Sequence, residues 1–578
     1  MIKQLWVAAV LLLLSLLLTG CPFNNNLNSG DDDSETEPEA ETAAAADPAQ
    51  VTIGERLFLE TRFAQFFVEN SGGVINTELG PNVGDPTLDD VSGLAGQQGP
   101  FAGQSMNCRN CHFVDELFDA EAKTGMRSYA DFATRSPNPT RAGLPPTTQR
   151  NAEEIVNSMI SRPVGLLFHW DGEFATLEDL VIATFTGSDF GWLPNETEDA
   201  KAQIVRVIRE DDGQGDLAQE FGGYSYALLL AGDPSLPPEY LLPEEFQVDV
   251  ATASDEEIIT VVSKLVAAYL ESLTFARGED GYYNGSPYDR FLEVNNLPRG
   301  PETGETALEY ARRLRSALDG LSSPTFIEPG GDNTYATHAH PFQFGASELA
   351  GLRIFLSEPS STTANPTEVA NGGIGNCVAC HTPPDFTDFG MHVTGVTQGE
   401  YDGIHGDGAF LALDVPSLAE RTANPELYLP ATASHPSYAE PFRGPSQAGA
   451  PQVADLGAWN IFANPDFPAP QETLRGVLCL IEPARAVDCT APEAELLEDA
   501  LAAFKTPTVR DLTHSNPFMH NGALEDLDAV LNRYMNVSAE ARAGDVRNAD
   551  PRLSGIALKP ADLEDLLHFL MALDEDYS

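Results

Sequence analysis

The stretch that decides the fold is "SMNCRNCHF", residues 105–113. Cys108 and Cys111 stand three apart, and His112 follows directly. The spacing returns in "GNCVACHTP", residues 375–383, with Cys377, Cys380 and His381. A zinc site needs four ligands, usually two such pairs brought together; here each pair would have to find partners across the chain. A redox dithiol needs no histidine after the second cysteine and sits beside a βαβ pattern. Covalent haem explains all three residues: the thiols add to the haem vinyl groups and the adjacent imidazole reaches the iron. Two copies imply two haem c groups, with His112 and His381 as proximal ligands.

The chain has seven cysteines. Cys479 and Cys489, in "VLCLIEPARAVDCTAP", are expected to form a short-loop disulfide, since an exported chain meets oxidising conditions. Cys21 closes "MIKQLWVAAVLLLLSLLLTGC", an apolar run too short to span a membrane comfortably and laid out as a secretory signal. Its ending resembles a bacterial lipobox, with Cys21 as the lipid-bearing residue. Residues 22–50 are acidic and poor in bulky apolar side chains, so they cannot bury enough surface to offset ordering. They read as a disordered tether from lipid to domain. The chain is therefore expected in the bacterial cell envelope, held to the membrane by lipid alone and facing the periplasm or cell surface. The net charge of -56, from 88 acidic and 32 basic residues, argues against nucleic acid, whose phosphates need Lys and Arg. It suits a cationic partner, or simply solvation.

Around each haem motif the plan repeats. Helical stretches at 51–67 and 345–360 lead in; the amphipathic segments 255–275 and 558–576 close each unit. The Gly-, Pro- and Asn-rich join at 281–304 marks the boundary. The expected fold is mainly α: a signal (1–21), the tether (22–50), and two cytochrome c-like haem domains with long loops (51–292 and 293–578). Regions 193–250 and 400–500 read as surface elaborations.

In family order, "LFLETRF", "NCRNCH", "TTQRNAEEIVNS", "FHWDGEFATLEDL", "SPYDRFL", "NCVACHTPPDFTD", "MHVTG" and "FKTPTVRDLTHSNPFMHNGALEDLDAVLNRYM" resemble the bacterial di-haem cytochrome c peroxidases and their MauG-like relatives. The resemblance covers most of 51–578 and implies unequal haems. The first meets hydrogen peroxide at an open iron, and the second relays electrons from a donor such as a small cytochrome. By family spacing the proton-carrying distal acid falls on Glu178 or Asp179; the alternative is a solvated carboxylate at a helix start. His169 stands nearby, as a haem-side hydrogen-bonding group or a packed structural histidine. Many relatives cap the first iron with a loop histidine. No His occurs between His112 and His169, which implies an open first haem, with His169 as the one alternative cap. The sixth ligand of the second haem falls on Tyr534, the MauG choice, with Met535 as the alternative. Met519 lies at a position the family varies. His520 matches a histidine near the second haem that does not bind iron. The family's calcium would meet Ser515 and Pro517. Two other readings stay open: a di-haem electron-transfer cytochrome without peroxidase activity, and a haem oxygenase of the rubber-cleaving type.

Overall fold

A computed structural model describes residues 47–77, 79, 107–108, 111–112, 138–139, 141–145, 147–160, 162, 164–331, 333–335, 338–479 and 489–576, with His514 as backbone only. The signal, Cys21 and the tether lie outside the described residues. Among the described residues no helix is long and apolar enough to cross a membrane.

The architecture is two helical halves built on one plan. In the first, α1 (Ala49–Phe58) crosses α4 (Asp255–Ser272), with α2 (Leu177–Phe185) and α3 (Thr197–Glu210) packed on α4. In the second, α5 (Pro287–Val294) and α6 (Ala307–Gly320) lead to α7 (Ala346–Phe355), which crosses α9 (Leu563–Met571), and α8 (Leu527–Ala543) packs on α9. Start signals in the sequence set these bounds. Ser254 and Glu257 form a capping box at α4, Thr306 and Glu309 at α6, and Thr176 and Asp526 cap α2 and α8.

Each crossing turns on one glycine. A Cβ on Gly54 would stand 2.1 Å from the Leu265 carbonyl oxygen, and one on Gly351 1.9 Å from that of Asp565. Only a missing side chain lets the backbones approach so closely. Phe58 meets Tyr269 edge-on across the first crossing, and Phe355 meets Phe569 across the second. The repeat expected around the two haem motifs is thus a matched pair of helix crossings.

Two expectations are corrected. The boundary at 292/293 cuts α5, whose Tyr288, Phe291 and Leu292 all belong to the second core, so that core starts at the head of α5. Region 193–250 is not a surface elaboration. Ile204, Val207, Ile208, Tyr226, Leu229 and Leu230 are buried in the first core. Arg56 of α1, fully buried, pairs with Asp211 at 2.9 Å and bonds the Tyr224 carbonyl, which fastens this region to α1. Region 400–500 has a core of its own around Phe442, Leu456, Trp459 and Leu474. Cys479 and Cys489 are joined, Cα atoms 5.8 Å apart. A short antiparallel pair, β1 (Met391–His392) and β2 (Phe504–Lys505), carries the chain into and out of this region.

Candidate functional site

Cys108 and His112 close one turn: the amide N–H groups of Cys111 and His112 both donate to the Cys108 carbonyl, at 3.1 and 2.9 Å. Buried Asn107 donates to the Leu59 carbonyl at 3.0 Å and pins this turn to the end of α1. Cys108, Cys111 and His112 line a cavity of about 610 Å³. Burial, and then the ring of His169, push the His112 imidazole down to about 4, so it is neutral at ordinary pH, as an iron ligand must be. The thiols, the neutral imidazole and a cavity of this size fit a covalent haem.

His169 lines the same cavity. It sits in a tight turn, "FHWDGEF", residues 168–174, where Phe168 and Phe174 form a two-way backbone bridge. His169 has φ 63°, and Gly172, φ 75°, accepts the reversal. His169 Nδ1 lies 3.0 Å from Glu173 Oε2, and Arg443 of region 400–500 closes on the same oxygen. Burial would push Glu173 up, but Arg443 and then His169 outweigh it and hold it down to about 2. Burial lowers His169, but Glu173, and then Glu153 and Asp171, raise it above its ordinary value. Asp189, also on the cavity, is pushed up by burial. Beneath the turn Arg150 pairs with Asp171 and Asp455, both at 2.6 Å, which binds region 400–500 to the first half.

Glu178 and Asp179 are not brought to the cavity. Leu177, Leu180, Val181 and Thr184 of α2 face it, whereas Asp179 is exposed, its N–H on the Thr176 cap, and Glu178 lies towards Glu271 of α4. The helix-start reading describes them. Glu173 and Arg443 were missed, although Glu173 stands inside the quoted motif.

His381 Nδ1 lies 3.2 Å from the Phe386 carbonyl, a contact that orients the ring. Arg552, His392, Asp388 and Asp550 form a buried ionic group beside Cys380. The Tyr534 hydroxyl is raised by burial, then by the Cys380 and Cys377 thiols, so it lies within their reach. Met535 packs instead against the second core.

The turn "FMHNGAL", residues 518–524, duplicates the one at 168–174. Phe518 and Leu524 form the same bridge, Met519 has φ 74°, and Gly522 has φ 60°. Capping residue and helix follow at the same distance. Counted from the bridge, Trp170 matches His520 and Thr184 matches Tyr534. A hydrogen-bond chain joins the two turns: Trp170 Nε1 donates to the Asn151 carbonyl at 2.9 Å, and Asn151 N–H to that of His520 at 2.8 Å. His520 is buried and stacked on Phe504, centroids 3.6 Å apart. The Pro517 carbonyl already accepts the Asn151 side-chain amide at 2.7 Å, and Ser515 Oγ donates to the Asp511 carbonyl. The oxygens expected to meet calcium are thus partly engaged.

No family model and no curated protein matches the chain. Among solved structures it is similar to the diheme peroxidase BthA from Burkholderia thailandensis E264, at 15% identity over 92% of this chain and 87% of that one, with a TM-score of 0.39. A variant of that protein with one tyrosine replaced by methionine gives 16%, the same coverage and 0.40. A MauG-like protein associated with microbial copper homeostasis gives 16%, 95% of this chain, 96% of that one and 0.41.

Proposed function

We propose that the chain is a di-haem c peroxidase of the MauG-like kind, reducing hydrogen peroxide over His112 with electrons passed in through the haem on His381. One observation carries the reading: the helix position that offers Tyr534 to the second site offers only Thr184 to the first, and the Thr184 hydroxyl is bonded to the Leu180 carbonyl. Among the described residues this helix position therefore leaves room for a small ligand at the first site where the second has a side chain. This opposes the pure electron carrier, which needs both irons filled.

Cys108, Cys111 and His112 would hold one haem; Cys377, Cys380 and His381 would hold the other, with Tyr534 as its sixth ligand. A bound haem would supply a redox-active iron to the peroxide. Two electrons and two protons convert one peroxide to two waters. With Nδ1 of His169 engaged by Glu173, its Nε2 is the atom left to hold and deliver a proton to the departing oxygen. Glu173, kept ionised by Arg443, stabilises the charged imidazole. The Trp170–Asn151–His520 chain links the halves directly and is the proposed path between the sites. The donor is a small cytochrome or comparable reductant, met by a lipid-anchored protein on the periplasmic side or cell surface.

Peroxide turnover of the haem-loaded protein tests this. Glu173→Gln should lower kcat by about 10²-fold or more, as loss of an acid–base partner does, whereas Glu178→Gln should change it less than a few-fold. The reverse order would return the role to Glu178. Two low-spin haems indifferent to peroxide would leave the electron carrier, and dioxygen-dependent turnover without peroxide would leave the oxygenase.

A further inference from the structure

A second constellation of metal-binding side chains lies away from both haem motifs. His338 and His340, on the loop before α7, meet Asp511, which precedes the "FMHNGAL" turn, and Asp574 and Asp576, which follow α9. His340 Nε2 lies 2.8 Å from Asp574 Oδ2; His338 Nε2 lies 3.8 Å from that same oxygen and 2.9 Å from Asp511 Oδ1. Asp511 and Asp574 are fully buried, and His338 is 2% exposed.

The second ring nitrogens carry the argument. His338 Nδ1 lies 3.2 Å from Asp576 Oδ1, and His340 Nδ1 3.3 Å from the Pro341 carbonyl. A neutral imidazole has one N–H. His338 faces carboxylates through both nitrogens, so one pairing needs a second proton or a cation between nitrogen and oxygen. Metal-binding histidines show this arrangement: one nitrogen on the ion, the other donating to a carboxylate or carbonyl that fixes the ring. Tyr335 supports it, packed on both rings with centroids 4.5 and 5.0 Å away and its hydroxyl on the Asp574 carbonyl.

We propose that His338 Nε2, His340 Nε2 and Asp574 Oδ2 bind a zinc ion, with Asp511 Oδ1 beside His338. Tetrahedral bonds of 2.0–2.1 Å place donors about 3.3 Å apart, and the 2.8 and 3.8 Å separations to Asp574 Oδ2 bracket that figure. Two imidazoles with one carboxylate suit zinc, whereas calcium takes six to eight oxygens. In the two other clusters of this kind among the described residues, arginines already face the carboxylates: Arg552 at Asp388, and Arg150 and Arg443 at Asp171. At Asp574 the facing groups are two imidazoles and the Thr513 hydroxyl. His340, 15% exposed in its side chain, provides the entry path. The ion would pin the C-terminal segment and the 338–341 loop to the strand of chain that leads into His520.

The test uses the full haem-loaded protein, stripped with a chelator and given zinc alone. One zinc per chain beyond the haem irons should survive gel filtration, and its K-edge absorption should show imidazole scattering. His340→Gln should weaken zinc binding about 100-fold or more without altering the haem spectra. His435→Gln, at an exposed histidine paired with Asp466, should leave binding unchanged. No retained zinc, an oxygen-only shell, or zinc binding indifferent to His340→Gln would overturn the proposal. Should His340→Gln fail to fold, the absorption edge of the unmutated protein decides.

Discussion

At residue scale, Tyr534 and Met535 show how a helix forces a choice. Neighbours on a helix point about 100° apart, so both cannot face one iron. Tyr534 lies within electrostatic reach of Cys377 and Cys380, while Met535 packs into the second core. Tyr534→Phe should therefore turn the second haem high-spin in the ferric protein, and Met535→Leu should leave its electron paramagnetic resonance signal low-spin. Glu173 makes a prediction about pH. Its folded value, about 2, lies below its ordinary 4.5, so it adds stability above pH 4.5 that is lost as pH falls from 4.5 towards 2. The loss is at most about 3 kcal/mol. Melting curves across that window should fall more steeply for the unmutated protein than for Glu173→Gln. Cysteine spacing made His112 and His381 legible. Glu173 was hidden because its partner Arg443 lies 270 residues away and meets it only when region 400–500 folds over the turn.

At the scale of elements, the two crossings are the parts most exposed to small changes. Gly54→Ala would drive a methyl into the Leu265 carbonyl, and Gly351→Ala into that of Asp565. Helices must then move apart, at a cost of about 1–3 kcal/mol or more. Each substitution should lower the denaturant midpoint, and an alanine at exposed Gly320, where a Cβ meets nothing within 4 Å, should not. The crossing helices were legible because their apolar residues recur at helical spacing over long runs. Region 193–250 was less so: beyond α3 its buried residues lie on short pieces such as Asp216–Glu220 and Tyr226–Leu230, too short to show a period. Within the Gly- and Pro-rich join, α5 packs in the second core, since Ser286 and Pro287 read equally well as a turn or as a cap and first helical residue.

At the scale of the whole molecule, region 400–500 makes the halves unequal. It lends Arg443, Glu440 and Phe467 to the wall of the first cavity, so the space over His112 is shaped by residues from the far half of the chain. No local pattern announces such a wall, because its residues become neighbours only through the tertiary fold. The matched turns at 168–174 and 518–524 repeat one local plan in both halves, so the differences between the two sites lie in the residues at equivalent positions. Thr184 and Tyr534 are the sharpest of these. Giving the first copy the side chain of the second, by Thr184→Tyr, should close its iron: the ferric first haem should lose its high-spin signal and peroxide turnover should fall at least about 10²-fold, the scale of a lost catalytic group, with the second haem's spectrum unchanged. The two copies would then offer the same side chain at this position, and what still separates them would be His169 and Glu173, where the second turn has Met519 and Ala523.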